Sequence, residues 1–449
     1  MKSFVYLIFA LLLFTFITGQ TPVSSTSSSS HELTELINKY LALIVSVLAI
    51  ISTVLGYIYQ RRNFKLELEK FKKKFVSAGE LYCSWIEEAD AQPKMVTAQS
   101  TFTSPYICGP PIIHREDFYG RKTLSKMILN AAAGGPQMQS IAITGGPLSG
   151  KTSLINYIKH PHTLKEHNFE NIIPVYLNLE AGIINPAVFY ARLLHETVKA
   201  IRKYGIVGKQ IPFLTKDIVY HVAENFFETA SKKFERFKFL LIIDKFEKLS
   251  VPAFTSEFFG NLRSLSTNRP IAWITTAFKP LSKIFYEKFG EISSPFINIF
   301  LQNYFIPPLS NENAHKLAKE PAIKNGLPFS SDELVFIIHL DRLMPFEIQV
   351  VSDTLYKAKI ENPNDSLICK KIARREYAKI MGNHYQRYWR TLEPDEQSLL
   401  KSIANGNQDR ITDSKITDLV NYGYIIEKED SYHIAGAVFK DWIRKSKIN

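Results

Sequence analysis

Cysteine is nearly missing from this chain. Cys83, Cys108 and Cys369 stand far apart among 449 residues and form no CxxC pair, which excludes a disulfide framework and a cysteine-based zinc site. Isolated thiols of this kind act as small buried hydrophobes and fit a reducing compartment for most of the chain. Histidine offers no metal site either: His114, His160, His162 and His339 include no pair at ligand spacing beside a third ligand, and His160-Pro161-His162 reads as a polar loop. Acid is short: 55 basic residues against 43 acidic ones leave a net charge of +12, so anionic partners, nucleic acid or lipid, are favoured according to where the excess lies. Low-complexity composition is not the rule here. With 45% hydrophobic and 22% charged residues most of the chain can bury a core, and its length suggests two or three folded units.

The chain opens on apolar sequence. Residues 4–17 follow Lys2 and have the length of a signal-peptide core, with Thr18-Gly19-Gln20 suited to cleavage. The other reading of residues 1–20 is an uncleaved first membrane segment, short for a bilayer. Residues 21–40 are Ser/Thr-rich and read as flexible. Residues 41–59, LALIVSVLAIISTVLGYIY, are uncharged, apolar on all faces and close to the ~20 residues of a transmembrane helix; a buried core helix is the competing reading. Arg61, Arg62, Lys65, Lys70, Lys72, Lys73 and Lys74 come next. Positive flanks stay in the cytoplasm, so everything after Tyr59 is expected inside and the Ser-rich segment outside. Residues 60–110 then form a basic juxtamembrane helix and linker, drawn to anionic headgroups or paired internally with Glu67 and Glu69.

The strongest chemical signal lies further on. Residues 139–156 read QSIAITGGPLSGKTSLIN: an apolar strand, then Gly145-Gly146-Pro147-Leu148-Ser149-Gly150-Lys151-Thr152-Ser153, then a helical pattern. This satisfies GxxxxGK[ST]. Glycines let backbone N–H groups wrap phosphate oxygens, and the helix N-terminus adds positive potential. Lys151 would reach the β and γ phosphates and Thr152 would offer its hydroxyl to Mg²⁺. A second apolar run, FLLIID, ends in Asp244, the expected metal-side acid. The next residue is Lys245, where many ATPases carry a glutamate that polarises water; Glu247 is the substitute. A third run, PIAWITT, ends in Thr275-Thr276, so that Thr276 is either a sensor of the γ-phosphate and attacking water or a solvated strand end. A fourth, NIIPVYLNLE at 171–180, completes an alternation that implies a parallel sheet with helices on both faces.

Together these motifs resemble the STAND-type branch of the AAA+ ATPases, and within it the archaeal-ATPase-like and novel STAND families. Phe118-Tyr119-Gly120-Arg121 looks like the FxGR motif there, which places Gly120 and Arg121 near the base. Pro308-Leu309-Ser310, before a helix with Glu312 and Ala314, looks like the passage into a helical lid, and Leu343-Met344-Pro345-Phe346-Glu347-Ile348-Gln349 is similar to the lid's Gly-His-Pro-Tyr…Gln segment. The resemblance implies an ATP and Mg²⁺ site, an α/β P-loop core at 111–290, a helical lid at 291–384 and a winged-helix domain at 385–449, behind an N-terminal transmembrane helix. It implies a nucleotide-controlled switch in signalling or assembly, with a homo-oligomer as a possible state. Lys245 stands against fast hydrolysis, and no arginine finger is assigned, Arg263 and Arg269 being candidates only. The competing reading is a membrane-tethered DNA-binding ATPase. Against it, the expected recognition helix at 411–422 offers Asp413, Lys415 and Asp418 and no basic face. Tyr385, Tyr388 and Trp389 read as packing aromatics. The protein partner is not encoded in any motif.

Overall fold

The computed structural model describes residues 103–180, 182–203, 220–290, 296–407, 413–429 and 431–445. The two apolar stretches, the Ser-rich segment and the basic run at 61–74 lie outside the described residues. Among those described, no helix is long and apolar enough to cross a membrane.

The four apolar runs are strands. β1 (Ser140–Thr144), β2 (Ile172–Asn178), β3 (Lys238–Asp244) and β4 (Ile271–Ala277) join β5 (Phe300–Phe305) in a fully parallel sheet of order β2-β3-β4-β1-β5. β1 and β4 are buried at every position, as expected of strands covered on both faces. Alternate residues serve the two faces. Phe239, Leu241 and Ile243 pack with α4 (Pro186–Lys203), α5 (Tyr220–Lys233), α6 (Ser256–Ser266) and α7 (Leu281–Phe289). Leu240 and Ile242 pack with α1 (Lys122–Ala133) and α2 (Lys151–Ile158). The His-Pro-His segment is not a loop: His160 caps the short α3 (Pro161–Glu166), with Pro161 at its first turn, where a missing N–H costs nothing.

β4 lies between β1 and β3. The carboxyl ends of three neighbouring strands therefore present, side by side, the loop after Thr144, Asp244 and Thr276. In open α/β sheets ligands bind at this edge.

A helical region follows: α8 (Asn311–Lys324), α9 (Ser331–Leu340), α10 (Pro345–Glu361) and α11 (Ser366–Thr391). Ser310 caps α8, and Ser330 with Glu333 forms a reciprocal capping box on α9. α11 runs without a break past residue 384 into a C-terminal unit of α12 (Pro394–Ala404), α13 (Asp413–Asn421), the antiparallel hairpin β6 (Ile425–Lys428) and β7 (Ser431–Ile434), and α14 (Ala437–Lys445). The helical region and the C-terminal unit share one hydrophobic core, in which Leu317, Val351, Tyr377, Leu419 and Phe439 all take part.

Candidate functional site

A cavity of about 600 Å³ lies where the sheet edge meets the helical region, within the ordinary range for a ligand pocket. Pro147 to Ser153, Asp244, Lys245 and Glu247 wall it on the sheet side; Leu317, Pro345, Phe346, Gln349, Arg387 and Tyr388 wall it opposite.

The turn after β1 folds around its own lysine. Lys151 Nζ donates to the carbonyls of Gly145 at 2.6 Å and Gly146 at 2.9 Å. Gly150 caps α2 with φ +90°, a conformation that favours glycine, and the Arg121 guanidinium lies close against it. Burial pulls the Lys151 ammonium down to about 8; Glu247 and Asp244 oppose the shift, while Lys245 and Arg121 add to it. Three other lining residues, Arg121, Leu148 and Lys245, hold left-handed backbone with φ of 58°, 58° and 65°. Residues with a Cβ take this conformation uncommonly, and such residues are enriched at functional sites.

Asp244 gathers hydroxyls. Thr152 Oγ1 donates to its Oδ2 at 2.8 Å, Tyr176 OH to the same oxygen at 2.9 Å, and Thr276 Oγ1 to Oδ1 by a short bond. Thr276 also accepts from the N–H of Lys245 at 3.1 Å. It is fully buried, so it is not a solvated strand end. The Thr152–Asp244 pair fits Mg²⁺, which takes one or two protein oxygens and keeps its remaining sites for phosphate and water. Both carboxylate oxygens already accept hydroxyls, which suits contact through water.

Lys245 pairs with Glu180, just beyond β2. Glu247 stands in a 3-10 turn, Phe246–Ser250, with Oε2 buried and without a hydrogen-bond partner. Burial lifts its carboxyl above the usual range, against the pull of Lys151. Ser149 Oγ and Arg121 Nε are also buried and unpartnered. The lining includes five cations (Arg121, Lys151, Lys245, Lys248, Arg387) and four carboxylates (Asp117, Glu180, Asp244, Glu247). That mixture suits a polyanion accompanied by a divalent cation.

The predicted residues do not all reach the cavity. Arg121 does, and it bridges two segments, donating to the carbonyls of Ser149 at 2.5 Å and Pro307 at 2.6 Å. Gly120 and Pro308 instead line a second groove on the outer side of Arg121. The Ser153 hydroxyl accepts the N–H of Ile112 at 3.0 Å rather than facing the cavity freely. Arg269 is committed to the carbonyls of Ser264 and Leu265 at the end of α6. Three features escaped the sequence: the Tyr176 hydroxyl on Asp244, the Glu180 partner of Lys245, and the strap at 107–112. That strap is tied to Gln349 of α10 through the Ile107 N–H (2.9 Å) and to α2 through Asn156 Nδ2 on the Ile112 carbonyl (2.9 Å). It closes one wall of the cavity, although its sequence reads only as linker.

No protein-family model matches the chain, and no curated protein does. Solved structures do. The Walker-type ATPase PABY2304 of Pyrococcus abyssi superposes with a TM-score of 0.54 at 16% identity, over 75% of this chain and 98% of that one. The ORC2 protein of Aeropyrum pernix gives 0.45 at 16% identity, over 77% and 98%. The RuvB Holliday junction branch migration motor of Thermotoga maritima gives 0.39 at 13% identity, over 74% and 97%. The first likeness shows the fold, that of a P-loop ATPase; the other two are too distant to carry an argument.

Proposed function

We propose that this protein is a membrane-anchored ATP-binding switch of the STAND type, in which a bound nucleotide fixes how the helical lid and winged helix sit on the P-loop core. One observation carries the reading: a single cavity is walled on one side by the phosphate loop with Lys151 and Asp244, and on the other by residues of α8, α10 and α11. A nucleotide held there touches both bodies, so its presence and phosphate count bias their arrangement. Mg²⁺, held by Thr152 and through water by Asp244, would offset phosphate charge. Glu247, with its unpartnered oxygen and raised affinity for a proton, is the group to orient an attacking water. The uncharged run at 41–59 followed by seven cations supports a transmembrane anchor with anionic lipid at its inner face. Output through assembly or a protein partner is favoured over nucleic acid, because Lys415 of α13 is paired with Asp395.

Two expected results follow. In the full chain, Glu247→Gln should lower phosphate release from Mg-ATP by about a hundredfold or more, the usual range for a general base, while the Kd for ATP stays within about threefold. Turnover that survives in this variant would remove Glu247 from the role. The second concerns pH. Free Lys151 loses its proton near pH 8, whereas phosphate oxygens beside it favour the charged form. Below pH 8 this group adds no pH dependence to binding. Above it, binding must take up a proton and affinity falls, by up to about tenfold per pH unit. Titrations at pH 7, 8 and 9 check this, and a Kd flat across that range would contradict the burial of Lys151.

A further inference from the structure

Lys245 stands where phosphate-loop ATPases carry an acid, yet its surroundings are not those of a bystander. Its backbone is left-handed (φ 65°), and its N–H donates to the Thr276 hydroxyl at 3.1 Å. The side chain lines the cavity, as does that of its partner Glu180. The pairing follows from strand register, because Asn178 of β2 lies opposite Asp244 of β3, which brings the residues beyond both strand ends together.

The ion pair is a loose one. The Glu180 side chain is 54% exposed and that of Lys245 30%, so water competes for both groups and the pair holds little energy. Meanwhile the Lys245 ammonium opposes the charge of Lys151 across the same cavity. Two like charges facing one space, one of them lightly held by a solvated carboxylate, are arranged for a more highly charged anion than Glu180. A terminal phosphate brings about −1.5 to −2 charge and three strong acceptor oxygens, against the single charge of a solvated carboxylate.

Resting on the ATP reading above, we propose that Lys245 recognises the terminal phosphate of the triphosphate, and that Glu180 is the partner that holds its ammonium when only a diphosphate, or nothing, is bound. The residue in the position of the usual acid thereby becomes a sensor of phosphate number. On binding of a triphosphate the ammonium leaves Glu180 for the γ-phosphate, and the Glu180 carboxylate is released to solvent at the end of β2.

The test compares the β,γ-imido analogue of ATP with ADP, both with Mg²⁺, on the full chain. Lys245→Met should weaken the triphosphate analogue by about tenfold or more, the loss of one charge-assisted hydrogen bond, and move ADP by less than about twofold. Lys245→Arg should restore discrimination, and Glu180→Gln should tighten the triphosphate analogue while leaving ADP unchanged. Equal weakening of both nucleotides by Lys245→Met, with an unchanged thermal midpoint, would reduce the pair to a structural tie and overturn the proposal. So would no weakening of either. A wild-type chain that binds neither nucleotide would instead bring down the ATP reading beneath it, a result distinct from lost discrimination.

Discussion

Lys151→Ala should weaken Mg-ATP binding by about a hundredfold or more, the loss of roughly two hydrogen bonds between an ammonium and phosphate. The side chain already sits inside the loop on the carbonyls of Gly145 and Gly146, so little reorganisation separates it from phosphate bound there. Its removal should not harm the fold. Burial lowers the Lys151 pKa from 10.5 to about 8, which means the folded chain holds the charged form less readily than the unfolded chain does. Below pH 8 the charged lysine therefore works against folding, and alanine relieves that cost. Thermal melts with and without Mg-ATP check both halves. The wild-type midpoint should rise with nucleotide by linkage. The variant should start no lower and not respond. A variant that binds ATP as well as the wild type would remove Lys151, and with it the phosphate role of this loop.

What could be read in advance depended on the range of the physics involved. β1 and β4 are fully buried strands and β3 is buried from Phe239 to Asp244, and buried strands leave continuous apolar runs, so SIAIT, FLLIID and IAWITT announced themselves. The phosphate loop was legible for a local reason: its spacing is set by the geometry of one turn and one helix start. Asp244 followed, and the structure puts it 2.8 Å from the Thr152 hydroxyl. Contacts fixed by long-range register were not legible. Tyr176 and Glu180 meet Asp244 and Lys245 only because β2 pairs with β3 in one register. The strap at 107–112 has no apolar period of its own; it is held by side chains of α2 and α10. His160-Pro161-His162 reads as a polar loop, yet proline at a first helical turn starts a helix there.

The same limit hid the most consequential polar cluster outside the site. Arg342 and Glu347 are five residues apart, and their side chains are 3% and 0% exposed. Glu347 Oε1 accepts from Arg342 Nε at 2.8 Å and Nη2 at 2.5 Å, and Oε2 accepts from the Tyr377 hydroxyl at 3.2 Å. The guanidinium also lies 4.8 Å from the ring centre of Tyr388 on α11, 5.0 Å from that of Tyr424 and 4.9 Å from that of Phe439. The last two belong to the C-terminal unit, so one cation is shared between that unit and the lid. Burial works against this charge, and Glu347 together with Tyr388 and Tyr424 outweighs it. Gly436 completes the contact: its φ is +75°, and a Cβ would lie 2.8 Å from the Asp341 carbonyl. Arg342→Met should therefore cost about 3–5 kcal/mol, because it strands the Glu347 charge in the core. Adding Glu347→Gln removes that charge while keeping an acceptor for Tyr377, and should recover most of the loss. Denaturant titration of both variants separates the two terms. A single variant that loses less than about 1 kcal/mol, or a double variant no more stable than the single, would mean that the aromatic rings and not the ion pair hold the unit in place. Pro345 and Phe346 line the nucleotide cavity between Arg342 and Glu347 in sequence. A change of nucleotide that moves this turn acts directly on the joint that fastens the C-terminal unit to the lid.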